Sequence, residues 1–109
     1  MIKVILYQSE GFEMSGHAGF AEHGKDIVCA AASVLATTCV NAIETVANVV
    51  CSVEIDEERG YLKAMLPKEL SDEQRHDATV ILRSFRQGIA DLAEGNPKYI
   101  TLKEMRLSK

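Results

Sequence analysis

Ile2, Val4 and Leu6 alternate with Lys3, Ile5 and Tyr7, a period of two that predicts a first strand with one well-buried face. Gln8-Ser9-Glu10-Gly11 supplies turn residues, and Phe12-Glu13-Met14-Ser15 alternates again, so an antiparallel hairpin should run into Gly16 and His17. From Ala18 to Lys25 the composition shifts to glycine, charge and histidine, as in a loop. Asp26 is then placed to cap a helix by accepting from the backbone N–H of Val28 or Cys29, which makes Cys29 the third helical residue. Val28, Ala32, Leu35, Cys39, Ile43, Val46 and Val50 recur at helical spacing, and Ala30, Ala31, Val34, Ala36 and Ala42 make much of the other side apolar. Such a helix wants burial almost all round. One side should pack on a sheet and the other on a second helix or a second subunit, so a homodimer is expected.

Alternation resumes at Cys51, Val53 and Ile55 and again at Leu62, Ala64 and Leu66, across a charged turn ending at Gly60, which predicts a second hairpin that Pro67 closes. Ser71 and Gln74 have capping-box spacing, and Asp72 and Glu73 suit the positive end of a helix dipole. Ala78, Ile81, Leu82, Phe85, Ile89, Leu92 and Ala93 form one apolar stripe, ended by Gly95 and Pro97; Tyr99 to Lys103 reads as a last strand. The order is ββαββαβ. It predicts an α+β fold, with a mixed, largely antiparallel sheet of four to five strands and two helices on one face. No internal repeat or linker divides the chain, so residues 1–109 should form a single domain.

Composition narrows the partners. A net charge of −4 and a pI near 5.3 argue against broad electrostatic capture of nucleic acid and favour proteins or small molecules as ligands. Three cysteines cannot pair completely, and no CxxC or matched Cys/His spacing suggests a structural zinc, so reduced thiols in a cytoplasmic setting are expected. The N-terminus lacks the pattern of a signal peptide. The apolar run from Ile27 to Val40 is shorter than the roughly 20 residues needed to span a bilayer, so no membrane partner is expected.

Cys29 is the residue whose position suggests chemistry. A helix start favours a thiolate, and free N–H groups there can face an oxyanion; His17, at a strand end, is a candidate proton carrier. Asp26 and Ser33, three residues before and four after Cys29, share its helix face as supporting groups. His23 competes with His17 for the base role, and spacing does not separate them. The plain alternative is that Cys29 is a buried core residue, the reading preferred for Cys39 and Cys51. His76 belongs to a solvated helix face and Asp56-Glu57-Glu58 to a solvated turn. A metal site of His17, His23 and Cys29 has no familiar ligand spacing, and Gly16, Gly19 and Gly24 form neither a dinucleotide nor a Walker loop, so no cofactor or metal is expected.

Gly16-His17-Ala18, a short loop, then Gly24-Lys25-Asp26-Ile27-Val28-Cys29-Ala30-Ala31 followed by Ser33 resembles the signature of the ribosomal-processing cysteine protease (Prp) family. Chain length and element order fit that family too. The resemblance implies a homodimeric bacterial cysteine endopeptidase without a cofactor. Its substrate would be the short N-terminal extension of a large-subunit ribosomal protein, the twenty-seventh of the L series. By matching position, Cys29 is the nucleophile, His17 the general base and acid, Asp26 and Ser33 their polar supports, and Gly16 the loop hinge. Two other readings stand beside it: a noncatalytic ribosome-associated binding protein using the same loop, and a thiol redox sensor. The last is weakened because Cys39, ten residues along the same helix, lies about 15 Å from Cys29, too far for a disulfide.

Overall fold

The structure is a computed structural model that describes residues 1–16 and 23–106, with residues 23–26 as backbone only. Seven elements follow in the expected order: β1 (Ile2–Tyr7), β2 (Gly11–Ser15), α1 (His23–Thr45), β3 (Ser52–Asp56), β4 (Tyr61–Met65), α2 (Asp72–Gly95) and β5 (Ile100–Met105). The five strands form one sheet in the order β3-β4-β2-β1-β5, antiparallel except for the parallel pair β1 and β5. The α+β reading with both helices on one face is therefore correct.

The period-two pattern decides which face is covered. Val4, Met14, Leu62 and Ile55 are register neighbours across four strands, as are Leu6, Phe12, Ala64 and Val53. Val4, Leu6, Phe12 and Ala64 are buried beneath the helices together with Val28, Ala32, Ala36, Cys39 and Ile43 of α1 and Ala78, Leu82, Phe85 and Ile89 of α2. The Phe12 and Phe85 rings meet at 4.3 Å between centroids, tilted by 32°, and tie the centre of the sheet to α2. The helices do not reach the edge strand β3, where Val53 and Ile55 remain exposed on the helix side of the sheet.

Local chemistry at the helix ends follows the sequence in α2 but not in α1. Ser71 Oγ accepts from Gln74 N at 3.0 Å and Gln74 Oε1 accepts from Ser71 N at 3.0 Å, completing the capping box. Gln74 Nε2 also donates to the Asn48 carbonyl at 2.9 Å, joining the start of α2 to the chain leaving α1. Asn48 sits at φ 59°, a conformation asparagine tolerates after a helix. At its other end, α1 begins at His23 rather than after Asp26. No proline intervenes in His23-Gly24-Lys25, so the helix extends backwards over residues read as loop, and Asp26 lies inside it instead of capping it.

The stretch Ile27–Thr45 is, by length and composition alone, apolar enough to cross a membrane, yet one of its faces forms part of the core. Its other side is divided. Leu35, Cys39 and Ala42 face Ile81 and Phe85 of α2, whereas Ile27, Val34 and, beyond the helix end, Val46 and Val50 are exposed. Helix α2 can come close because Gly88 has no side chain: a Cβ there would lie 2.8 Å from Leu35 Cδ2.

On the uncovered sheet face, the Tyr7 hydroxyl donates to Glu13 Oε1, and Lys63 Nζ lies 5.9 Å from the Tyr7 ring centroid. The bond to Glu13, helped by burial, raises the Tyr7 pKa from 10.0 to about 12. The folded state thus holds this proton more tightly than the unfolded state. The resulting stabilisation is complete below the ordinary tyrosine value and is lost as pH rises towards about 12. Urea midpoints measured across that interval should fall more steeply in the wild type than in Tyr7→Phe.

Gly11 at φ 151° opens β2 against β4, and a Cβ there would strike the Ala64 carbonyl and Met65. Gly11→Ala should therefore cost roughly 2–4 kcal/mol, combining backbone strain and overpacking. Nothing lies within 4 Å of a Cβ on Gly95, and Gly95→Ala should change stability by no more than about 1 kcal/mol. Denaturant unfolding of the two variants checks the contrast.

Candidate active site

The strand register gathers several distant segments at one end of the sheet. Lys3 pairs with Ser15, Met14 with Leu62, and Tyr61 with Asp56. The start of β1, the end of β2 and the β3–β4 turn therefore converge. Helix α1 begins above the same end, and a groove of about 380 Å³ lies between it and the strands. Cys29, Ser33 and Thr37, spaced by four residues, contribute one wall; Met14, Gly16 and Leu62 lie on the sheet side, and Ile55, Glu57 and Gly60 close the edge.

Cys29 reaches this groove because its neighbour does not. Val28 is 2% exposed in the core, and the next helical residue, rotated by about 100°, turns aside from the core contact into the groove. The Cys29 side chain packs partly against the core and remains half-buried. It is therefore neither a plain core cysteine nor a freely solvated one. The expected place of Cys29 in the first helical turn is not found. It is the seventh residue of α1, about 9 Å along the axis from His23. The unsatisfied N–H groups and most of the dipole's effect belong to the turn at His23, so they do not surround the thiol as the sequence reading had them.

Ser33 is on the expected face, one turn beyond Cys29 in the groove wall, and exposed. For Asp26 the structure gives the backbone only: it lies within α1, one turn before Cys29. Gly16 is the last described residue before His17, and it lines the groove. Its φ of 94° suits glycine, and a Cβ there would run into the Met1 carbonyl oxygen. The chain thus leaves β2 at the groove beside Cys29. His17 itself lies outside the described residues, and the side chain of its competitor His23 does too.

The other candidates separate clearly. His76 is exposed, its Nδ1 3.2 Å from Asp77 Oδ1, on the solvated side of α2 as expected. Cys39 is buried, and burial, followed by the nearby Cys51, pushes its thiol up to about 12. Burial also raises the Cys51 thiol, with Glu44 adding to the shift. Among the described residues no group of three His, Cys, Asp or Glu side chains is arranged to hold a metal.

Glu57 was missed as part of the groove. It reads as one of three acids in a solvated turn, yet the turn is not uniform. Arg59 Nε donates to Asp56 Oδ2 at 2.7 Å, its backbone N–H donates to Asp56 Oδ1 at 3.3 Å, and these bonds hold the Asp56 carboxyl below its ordinary value. Gly60 N donates to the Glu57 carbonyl at 3.2 Å, with Gly60 at φ 60°. No local sequence signal marks it: its place follows from the pairing of β4 with β2, which brings the β3–β4 turn alongside Gly16.

The family profile of cysteine protease Prp matches residues 1–101. The chain belongs to this family. The ribosomal processing cysteine protease Prp of Bacillus subtilis (strain 168) is 39% identical over 71 residues, spanning 65% of this chain and 63% of that relative. The crystal structure of SMU.848 from Streptococcus mutans superposes with a TM-score of 0.83 at 34% identity, covering 98% of this chain and 96% of the other. The crystal structure of the essential ribosomal processing protease Prp from S. aureus, in complex with a substrate peptide, gives 0.80 at 25% identity, covering 96% and 100%.

The three thiols should differ in reactivity because of where they lie. With iodoacetamide near neutral pH, Cys29 should be modified first, Cys51 more slowly, and Cys39 only in denaturant. Peptide mapping by mass spectrometry over time gives the order directly.

Proposed function

We propose that the protein is a cysteine endopeptidase that removes the short N-terminal extension of a large-subunit ribosomal protein, the twenty-seventh of the L series. The observation that carries this reading is the accessible Cys29 thiol, in a groove shared with the residue that leads into His17, in a chain of the Prp family. Relatives named ribosomal processing proteases, one of them in complex with a substrate peptide, support it.

In the proposed reaction His17 takes the Cys29 proton and the thiolate attacks the scissile carbonyl, forming a tetrahedral oxyanion. Collapse of that adduct breaks the C–N bond while the His17 imidazolium protonates the departing amine. Water, deprotonated by His17, then attacks the thioester and releases the acid product and the free thiol. Asp26 and Ser33 would support the polar end of this site, and Gly16 would be the hinge of the histidine-bearing segment. No metal or cofactor is needed for any of these steps. The compartment proposed is the cytoplasm, where ribosomes assemble, and no nucleic acid or membrane partner is invoked.

A homodimer is part of the proposal. Ile27 and Val34, seven residues apart on α1, are 57% and 64% exposed, and pairing two subunits would remove such apolar surface from water. Sedimentation of wild type and Val34→Asp should show a dimer that the substitution weakens.

A peptide spanning the extension junction should be cut by the wild type. Cys29→Ala and His17→Ala should each lower kcat/KM by at least about a thousandfold, with the peptide still bound. Unchanged cutting by Cys29→Ala would remove the nucleophile assignment. Binding without cutting by the wild type would return the noncatalytic reading.

A further inference from the structure

We infer that Glu57 is a specificity-determining residue of the groove, selecting peptides that place a lysine or arginine side chain at one position near the scissile bond. This inference rests on the peptidase reading and adds to it a chemical class of substrate.

Three observations carry it. First, among the described residues Glu57 is the one charged residue lining the groove, across from Cys29 and Ser33, with no lysine or arginine beside it. Second, the turn distributes its charges unequally: Arg59 engages the Asp56 carboxylate, whereas Glu57 has no side-chain partner among the described residues. Third, the turn holds its shape. Asp56 pairs across the hairpin with Tyr61, Gly60 closes back on Glu57, and the Arg59 guanidinium stacks 4.9 Å from the Tyr61 ring centroid. An exposed carboxylate on an ordered turn, beside an otherwise apolar and hydroxyl-bearing cleft, attracts a cation and repels an acid. A peptide strand lying along the groove would therefore gain from one cationic side chain directed at the β3–β4 turn. The gain is limited because the pair stays wet: exposed ion pairs correspond to roughly a two- to fivefold effect, and salt weakens them.

The test uses peptides that share one cuttable sequence, with lysine, glutamine or glutamate substituted in turn at each position flanking the scissile bond. Binding is read by fluorescence anisotropy on Cys29→Ala protein, and cleavage by kcat/KM on protein with Cys29 intact. One position should favour lysine over glutamine by roughly two- to fivefold and disfavour glutamate. That ratio should fall towards one in Glu57→Gln, invert in Glu57→Lys, and shrink as salt rises from about 0.05 to 0.5 M. A merely structural role for Glu57 would change all peptides alike and leave the ratio intact. Absence of any lysine-sensitive position, a preference that survives Glu57→Gln, or no binding by any peptide overturns the assignment. Lysine-dependent binding that Glu57→Gln removes, without cleavage by the wild type, overturns the peptidase reading and leaves Glu57 as the selecting group.

Discussion

The burial of one line of α1 in the core is the constraint on which the rest of the structure depends. Its contact line is built largely from small side chains, with Ala32 and Ala36 fully buried between Val28 and Cys39, and the helix also packs along α2. A helix held this way has no freedom to rotate about its axis. Turning it by one residue would expose Val28 and drive Cys29 into the core. The reactive candidate is thus positioned by its neighbours' burial rather than by bonds of its own.

That seating acquires chemical meaning only at one end of the sheet. The parallel pairing of β1 with β5 and the antiparallel ladder from β1 to β3 bring Ile2, Gly16 and the Glu57 turn to the end where α1 begins. The requirement for glycine at position 16 belongs to the same crowding, since the Met1 carbonyl occupies the space a side chain would need. A tight exit from β2 delivers the chain towards His17 from a defined point beside Cys29.

How much of this was legible in the sequence depends on the range of the interaction. The strands, the α2 stripe and the Ser71 to Gln74 capping box were readable because period and cap chemistry are local. The start of α1 was not. Asp26 has cap chemistry, but cap preference is worth only about 1 kcal/mol, and the helix continues through it to His23. Ser33 was placed correctly from its spacing to Cys29, because i to i+4 geometry is fixed within one helix. Glu57 was not, because its place in the groove depends on the register of β4 against β2, a pairing across some fifty residues of chain that no local pattern encodes.

The edge strand β3 shows why the groove can act on a ligand instead of being only a gap in the packing. Val53 and Ile55 have core-type side chains on the helix side of the sheet, yet both helices lie over its other strands. An exposed edge of this kind ordinarily carries a risk of unwanted association, which here the neighbouring Glu54 opposes by charge. Ile55 borders the groove at 65% exposure, and complete burial of such a side chain is worth about 1.5–3 kcal/mol, of which roughly two thirds remains to be gained. A chain segment lying in the groove and covering Ile55 would recover that remainder. In the proposed role the apolar attraction supplies affinity in any sequence context and the Glu57 carboxylate supplies discrimination, two roles that a purely apolar cleft could not separate.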